Sequence, residues 1–356
     1  MKFVRIFYSV VFVLFSSSIC RAQDPQFSQF YNAPLYLNPA YAGTGNNTRA
    51  VLNYRNQWPG VTKPVAYVTM AASFDHNIES INSGVGFLLL RDRQGKGNLS
   101  TTEISGIYSY QFDISRKWSF RPGVQAGLVI RDIDYSKLVF GDQINENGPT
   151  GDLTNDQIVG AGNNIYPDIS AGGVLFSNNA WFGVSTHHLN RPNQAFAEPR
   201  LPLPIKYSFQ TGIRLPVGKQ SVKKGYSEMS KERSLVPTLL YKSQGKFDQL
   251  DVGMYFINEP VMVGIWYRGL PIKNYAGYAN NESIIFMAGL NYQRLSFCYS
   301  FDLTLSALSI NNTRGAHEIS LIYEWNIPYK NRKNARPLPC PSFYKNKSIN
   351  LDKMEK

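Results

Sequence analysis

The residues best suited to acid–base or metal chemistry in this 356-residue chain are four histidines, His76, His187, His188 and His317. Their spacing limits what they can do. His187 and His188 are adjacent, and neighbours on a β-strand point to opposite faces, so the pair is predicted not to share a metal. Ser320 lies three positions from His317, the wrong parity for a nucleophile and base on one strand face. The chain contains no G-x-S-x-G, H-E-x-x-H, C-x-x-C or P-loop pattern. No catalytic residue, metal site or cofactor site is therefore expected, and the protein reads as non-enzymatic. Asp132, Asp134, Asp142, Glu146, Asp152 and Asp156 match no EF-hand spacing and read as an exposed loop. The mixed-charge run Arg91–Lys96 reads as a solvated turn between strands, with specific binding as the lesser reading.

Residue periodicity identifies the elements that would carry such groups. Leu250, Val252, Met254 and Phe256 alternate with Gln249, Asp251, Gly253 and Tyr255. Ile319, Leu321, Tyr323 and Trp325 alternate with Glu318, Ser320, Ile322 and Glu324, and Leu295 to Leu303 behaves likewise. This is the period of two that marks strands. Roughly fourteen such segments are expected between residues 48 and 327, many of them near the nine to eleven residues needed to cross a bilayer. Connections after even strands are mostly short, as at Ser177–Asn178 and Asn258–Pro260. Those after odd strands, such as Ile133–Ile165, Leu189–Pro202 and Gly269–Asn281, are long. Pro216–Arg233 and Gln244–Gly245 break that rule. The predicted fold is all-β, an antiparallel transmembrane β-barrel of about fourteen strands. Trp58, Trp118, Trp181, Trp266 and Trp325 fit either interfacial girdles or ordinary core positions.

Composition agrees with this reading. The chain is 43% hydrophobic, 13% aromatic and 17% charged, with 28 Gly and 3 Cys. The aromatics argue against disorder, and the cysteines are too few for a disulfide framework. Lys2 and Arg5 precede an apolar stretch from Ile6 to Phe15 and a small residue at Ala22, which is the pattern of a signal peptide over 1–22. Lipidation at Cys20 is the rival reading, disfavoured by the bulky Ile19. Loss of Lys2, Arg5 and Arg21 lowers the net charge from +12 to +9. Eight basic and two acidic residues in 328–356 account for +6, leaving +3 for residues 23–327. The basicity belongs to a tail, and no nucleic-acid partner is expected.

The segment 23–47 carries Pro25, Pro34 and Pro39 among large apolar side chains, so it is predicted neither to form a membrane strand nor to stay solvated. It either plugs the lumen or docks on a periplasmic partner. Its sequence, from Gln23-Asp-Pro-Gln-Phe-Ser-Gln-Phe-Tyr to Asn38-Pro-Ala-Tyr-Ala-Gly43, resembles the opening of the PorP/SprF family of Bacteroidetes outer-membrane proteins. So do Tyr54-Arg-Asn-Gln-Trp-Pro59, His188-Leu-Asn-Arg-Pro192, Gly264-Ile-Trp-Tyr-Arg-Gly269, Ser300-Phe-Asp302, Gly315-Ala-His-Glu-Ile319 and Cys340-Pro341 with Phe343. At position 187 the family pattern leads one to expect Arg, where this chain has His.

The resemblance implies an outer-membrane barrel working with the type IX secretion system, either as a core part or as the dedicated partner of a secreted protein such as a gliding adhesin. The partners implied are a secreted client through its C-terminal signal domain, other type IX components and outer-membrane lipid. Candidate partner-binding residues are Phe27, Phe30, Tyr31, Tyr36, Asn38, Pro39 and Tyr41 in the opening block, with His188, Asn190 and Arg268 in the later ones. The domains expected are the signal 1–22, the segment 23–47, the barrel 48–327 and a basic periplasmic tail 328–356. Both mature termini are expected on the periplasmic side. The competing readings are a diffusion porin or small-solute transporter, and a soluble periplasmic β-sandwich or propeller.

Overall fold

The computed structural model describes residues 24–325 except 46–47, 62–66, 147, 153, 155–161, 197–198, 219–232, 276–277, 293 and 307–309, and no side chain from 271 to 279. The expected signal segment, the basic tail with Cys340, and most of Pro216–Arg233 lie outside the described residues. Fourteen strands build the wall: β1 Thr48–Gln57, β2 Tyr67–Ile78, β3 Ser83–Gln94, β4 Leu99–Tyr110, β5 Ser119–Asp132, β6 Asn163–Phe176, β7 Ala180–His187, β8 Lys206–Ile213, β9 Arg233–Gln244, β10 Phe247–Asn258, β11 Val261–Tyr275, β12 Tyr278–Tyr292, β13 Leu295–Thr304 and β14 Ala316–Trp325. Each pairs antiparallel with its sequence neighbours. β1 then meets β14 in register, Leu52 opposite Leu321, and the sheet closes without a free edge.

The faces are inverted relative to a water-soluble protein. Leu52, Phe74, Phe87, Leu89, Val124, Leu128, Ile169, Val184, Phe209, Met254, Ile265, Phe286, Phe297 and Ile319 project outward and are exposed. Arg49, Arg55, Asp75, Gln125, Asp168, Asp251, Arg268, Asp302 and Glu318 face inward and are buried. An apolar exterior around a polar interior is the arrangement a bilayer selects, and a soluble sandwich would reverse it. No helix among the described residues is long and apolar enough to cross a membrane; the strands are the elements that cross.

Three details differ from the sequence expectation. The stretch Gly269–Asn281 is not a long loop, because β11 and β12 continue their ladder to Tyr275 and Tyr278 through register shifts at Arg268/Gly269 and Leu270/Asn274. Bulges absorb the Gly, Pro and Asn residues that otherwise signal a loop. Trp181 and Trp266 are buried inside the barrel, so they are not girdle residues. Trp325 does sit at a rim, edge-on to Tyr323 at 4.6 Å, and Trp118 stacks on Phe182 at 6.2 Å.

The third difference concerns the chain ends. Asp24 meets Lys206 and Gln244, the first residue of β8 and the last of β9, at the long-loop end of the barrel. Gly43 meets Asp75 near the end of β2, at the opposite rim, where β1 begins and β14 finishes. The expectation that both mature ends lie on the short-turn side therefore does not hold for the first described residue. The opening block runs lengthwise through the lumen, a path to which no periodicity is sensitive.

Loop length assigns the long-loop end to the outer face. Cys298 is buried and adds little background labelling. Arg191→Cys, in the exposed loop after β7, should react with a membrane-impermeant maleimide on intact cells. Asn178→Cys, in the turn after β6, should react only once the envelope is opened, and the reverse pattern would invert the assignment.

Candidate functional site

The lumen is filled by residues 24–45, a run of short turns: a single 3₁₀ turn at Phe30–Asn32, one α turn at Pro34–Leu37 and a 3₁₀ turn at Pro39–Tyr41. Pro34 and Pro39 each start a turn, where the missing N–H is no loss. The Asn38 side chain accepts from Ala40 N at 2.9 Å, capping the second 3₁₀ turn. Its amide also donates to Val184 O at 2.9 Å in the β7 wall. Glycines thin the wall where the plug touches it. A Cβ on Gly84, Gly123 or Gly172 would collide with Ala42, Ala40 or Asn38 respectively. These are not turn glycines; Gly84 and Gly123 admit the plug backbone and Gly172 the Asn38 side chain.

The main anchor is a buried charge network near the outer end. Arg55 Nη2 lies 2.8 Å from Asp302 Oδ2, and Arg55 Nη1 lies 3.1 Å from Glu318 Oε2. Arg268 reaches Asp251 at 2.7 Å and Asp302 at 3.2 Å. The plug completes this network through Ser28. Its hydroxyl accepts from Arg55 at 2.6 Å and from Arg268 at 3.0 Å, and donates to Asp302 at 2.6 Å. The backbone amides of Ser28 and Gln29 donate to the Glu318 carboxylate at 2.7 and 3.0 Å. Charged hydrogen bonds of this kind are the stronger class, and in a low-dielectric interior none is easily replaced by water.

Two further anchors flank it. At the periplasmic end Arg49 pairs bidentately with Asp75, at 2.8 and 2.9 Å, and Asp75 also accepts from Gly43 N at 2.8 Å. At the outer end Asp24 accepts from Lys206 at 2.7 Å and lies 2.8 Å from His188 Nε2, while His188 Nδ1 lies 2.9 Å from Asp168. Lys206 also sits 4.8 Å over the Tyr36 ring. Burial disfavours the charged His188 imidazole, but Asp24 and Asp168 outweigh it and push its pKa up to about 10. Burial also opposes the Asp24 carboxylate, yet His188 and Lys206 hold it well below the usual carboxylate range.

Between the anchors lies an aromatic contact. Tyr31 meets Trp181 edge-on at 5.6 Å and accepts from its indole N–H at 3.1 Å. Phe30 meets Trp266 at 6.4 Å, and Trp266 donates to Thr238 at 3.0 Å.

Of the sequence-predicted partner residues, Phe27, Phe30, Tyr31, Tyr36, Asn38, Pro39 and Tyr41 lie together in the lumen against the chain's own wall. All but Tyr36 are fully buried. His188 and Arg268 join them as wall contacts to Asp24 and Ser28. Asn190 stands apart on the exposed loop, donating to Pro167 O at 2.7 Å. His187 and His188 do not face opposite sides: the strand stops at His187, and a left-handed φ of 60° turns His188 inward as well. Asp92 is likewise not part of a solvated turn but a buried lumen residue of β3. Sequence reasoning passed over Asp24, Ser28 and Gln29. The available signal was the lone charges at one strand parity, Arg55, Asp251, Asp302 and Glu318, which need partners from somewhere. Among the described residues no three His, Cys, Asp or Glu side chains are grouped to hold a metal.

The family described as type IX secretion system membrane protein PorP/SprF matches residues 19–323. No match to a curated protein was found. Solved structures similar to the chain include the outer membrane protein Omp33 of Acinetobacter baumannii, at 7% identity and a TM-score of 0.43 over 80% of this chain and 100% of that one. The TodX deltaS2S3 monoaromatic hydrocarbon channel is 11% identical with a TM-score of 0.42, over 82% of this chain and 92% of that one. The KdgM porin is 7% identical with a TM-score of 0.35, over 78% of this chain and 99% of that one.

Arg55→Ala leaves Glu318 without an ion pair among the described residues and Asp302 with Arg268 alone, and should cost about 3–5 kcal/mol, read as a lower melting temperature of the folded barrel in detergent. Gly172→Val should displace Asn38 and expose the plug to protease while leaving the barrel assembled. Stability should also vary with pH at both extremes. The His188 contribution is complete below its unfolded pKa of about 6.5 and fades as pH rises through about 10. The Asp24 contribution is complete above about 3.9 and fades as pH falls through its lowered folded value. In a series of melts across pH, Asp24→Asn should remove the acid limb and shrink the alkaline one.

Proposed function

The chain belongs to the PorP/SprF family of type IX secretion system membrane proteins, and from that membership we propose that it serves as a sealed docking barrel for a secreted client. It is an outer-membrane β-barrel and a component of that system; its family and fold are those of a secretion membrane protein, not of an enzyme. The finer reading is that it engages the C-terminal signal domain of a client, an adhesin of gliding cells among the candidates, and holds that client for export or surface attachment. Export by the 1–22 signal, a periplasmic basic tail, and association with other machine components belong to the same reading.

The observation that carries it is the plug. Residues 24–45 occupy the lumen and are tied to opposite walls by Arg55, Arg268, Asp302, Glu318, Arg49 and Asp75. The space left in the chamber at the outer end of the lumen is about 70 Å³. A diffusion porin needs a continuous aqueous path, which this filling opposes. With the lumen closed, binding falls to the rims and loops, and outward apolar side chains anchor the barrel in lipid.

In planar bilayers the intact protein should pass no steady current, whereas deletion of residues 24–45 should open one. Steady current through the intact protein would support the porin reading instead. Crosslinked pull-down of the tagged protein from its own envelope should recover a large secreted protein. Machine subunits without a client would assign it a core role, and recovery of neither would count against docking altogether.

A further inference from the structure

The vestibule at the outer end of the lumen has a free volume of about 70 Å³. One water takes on the order of 10–15 Å³ on this measure, so there is room for a small solute. Its wall comes from β3 to β8 and the loop after β7, with His188 and Lys206 among the lining residues and Asp24, Pro25 and Tyr36 of the plug closing one side.

The charges that face it are unusual. Asp92 accepts only from neutral donors, Thr69 and Gln94, both at 2.6 Å. Glu103 accepts from Ser105 at 2.5 Å and Gln125 at 2.7 Å. Neither forms an ion pair among the described residues. In the same chamber Arg131 donates to the backbone and side-chain oxygens of Gln194, at 2.7 and 3.0 Å, and meets no carboxylate among the described residues. Asp24 and Asp168 do not fill the gap, since they are engaged with Lys206 and His188. Asp92, Glu103 and Arg131 thus share one chamber without pairing directly with each other, and ions left so are costly unless something else meets them.

A second observation is independent of the charges. Gln125 is 4% exposed, its Oε1 has no hydrogen-bond partner, and it lines the vestibule. Rotating the amide would set that oxygen against Glu103, so the bond from Gln125 Nε2 to Glu103 at 2.7 Å fixes the amide's orientation and leaves Oε1 without a partner. His187, 5% exposed, likewise lines the chamber with Nε2 unpartnered.

We propose that this vestibule binds a free α-amino acid with a compact side chain. Its carboxylate rests on the Arg131 guanidinium, and its ammonium lies between Asp92 and Glu103. Leu90, Val129 and Tyr166 provide an apolar flank for the side chain. A simple cation would answer the two acids and leave Arg131 unneutralised; a simple anion would do the opposite. A zwitterion answers both in one small molecule. The site is independent of the docking reading and would stand if that reading failed.

The test is equilibrium binding of L-alanine to the purified full-length barrel in detergent, with propionate and ethylamine as analogues lacking one charge each. L-alanine should bind saturably, and each analogue at least tenfold more weakly. Glu103→Gln, which preserves the contacts to Ser105 and Gln125, and Arg131→Gln should each weaken L-alanine binding at least tenfold, with heat-modifiable gel migration showing that the variants fold. Absence of saturable L-alanine binding, equal binding of either analogue, or folded variants with unchanged affinity would overturn the proposal. If a variant fails to fold, the analogue comparison on the unaltered protein decides.

Discussion

The structure depends on keeping buried charge neutral inside a wall whose outside is oil. Arg55, Arg268, Asp251, Asp302 and Glu318 all point into the lumen and are almost wholly shielded from water. Left alone, each would bear a desolvation cost of several kcal/mol. Paired and hydrogen-bonded, they form one network that the Ser28 hydroxyl and the Ser28 and Gln29 amides of the plug join. The plug is thus an internal component on which the electrostatics of the wall depend, not an accessory placed in a finished pore.

That dependence explains the shape of the opening block. A regular helix or strand could not place its amides on Glu318, its hydroxyl on Asp302 and its cap on the β7 wall within so few residues. Short turns started by Pro34 and Pro39 and capped by Asn38 can change direction at each anchor. The wall adapts in turn. Gly84 and Gly123 give up side chains so that plug backbone fits where inward-facing residues would stand, and Gly172 does so for the Asn38 side chain. Packing and polar satisfaction therefore act on the same few positions, and a change to either partner disturbs both.

For a secretion component this arrangement separates two tasks. The wall and its apolar surface hold the protein in the membrane, and the lumen is closed by the chain's own residues, which leaves the two ends as its surfaces outside lipid. The loops on the long-loop side include Asn190, exposed and bonded back to β6, and the long segment after β5. The His188 latch with Asp24 lies directly beneath the loop after β7.

Periodicity, strand length and the alternation of short and long connections together revealed the wall. Strict alternation in Leu295–Leu303 or Gln249–Phe256 reports a local property, the environment on each side of a strand, and strand number and orientation follow once each segment must pair with its neighbours. The aromatic and proline content of residues 23–47 likewise required burial, though not a location. Direction was invisible: that Asp24 starts at the far rim, that Trp181 and Trp266 turn inward, and that His187 and His188 share one chamber. These features arise from contacts between residues as far apart as Ser28 and Glu318, and such pairing is a property of the closed ring, leaving no local period for a reader of the chain to find. Local alternation divided each strand into an apolar and a polar side; only closure of the ring decided that the apolar side faces outward and what fills the interior.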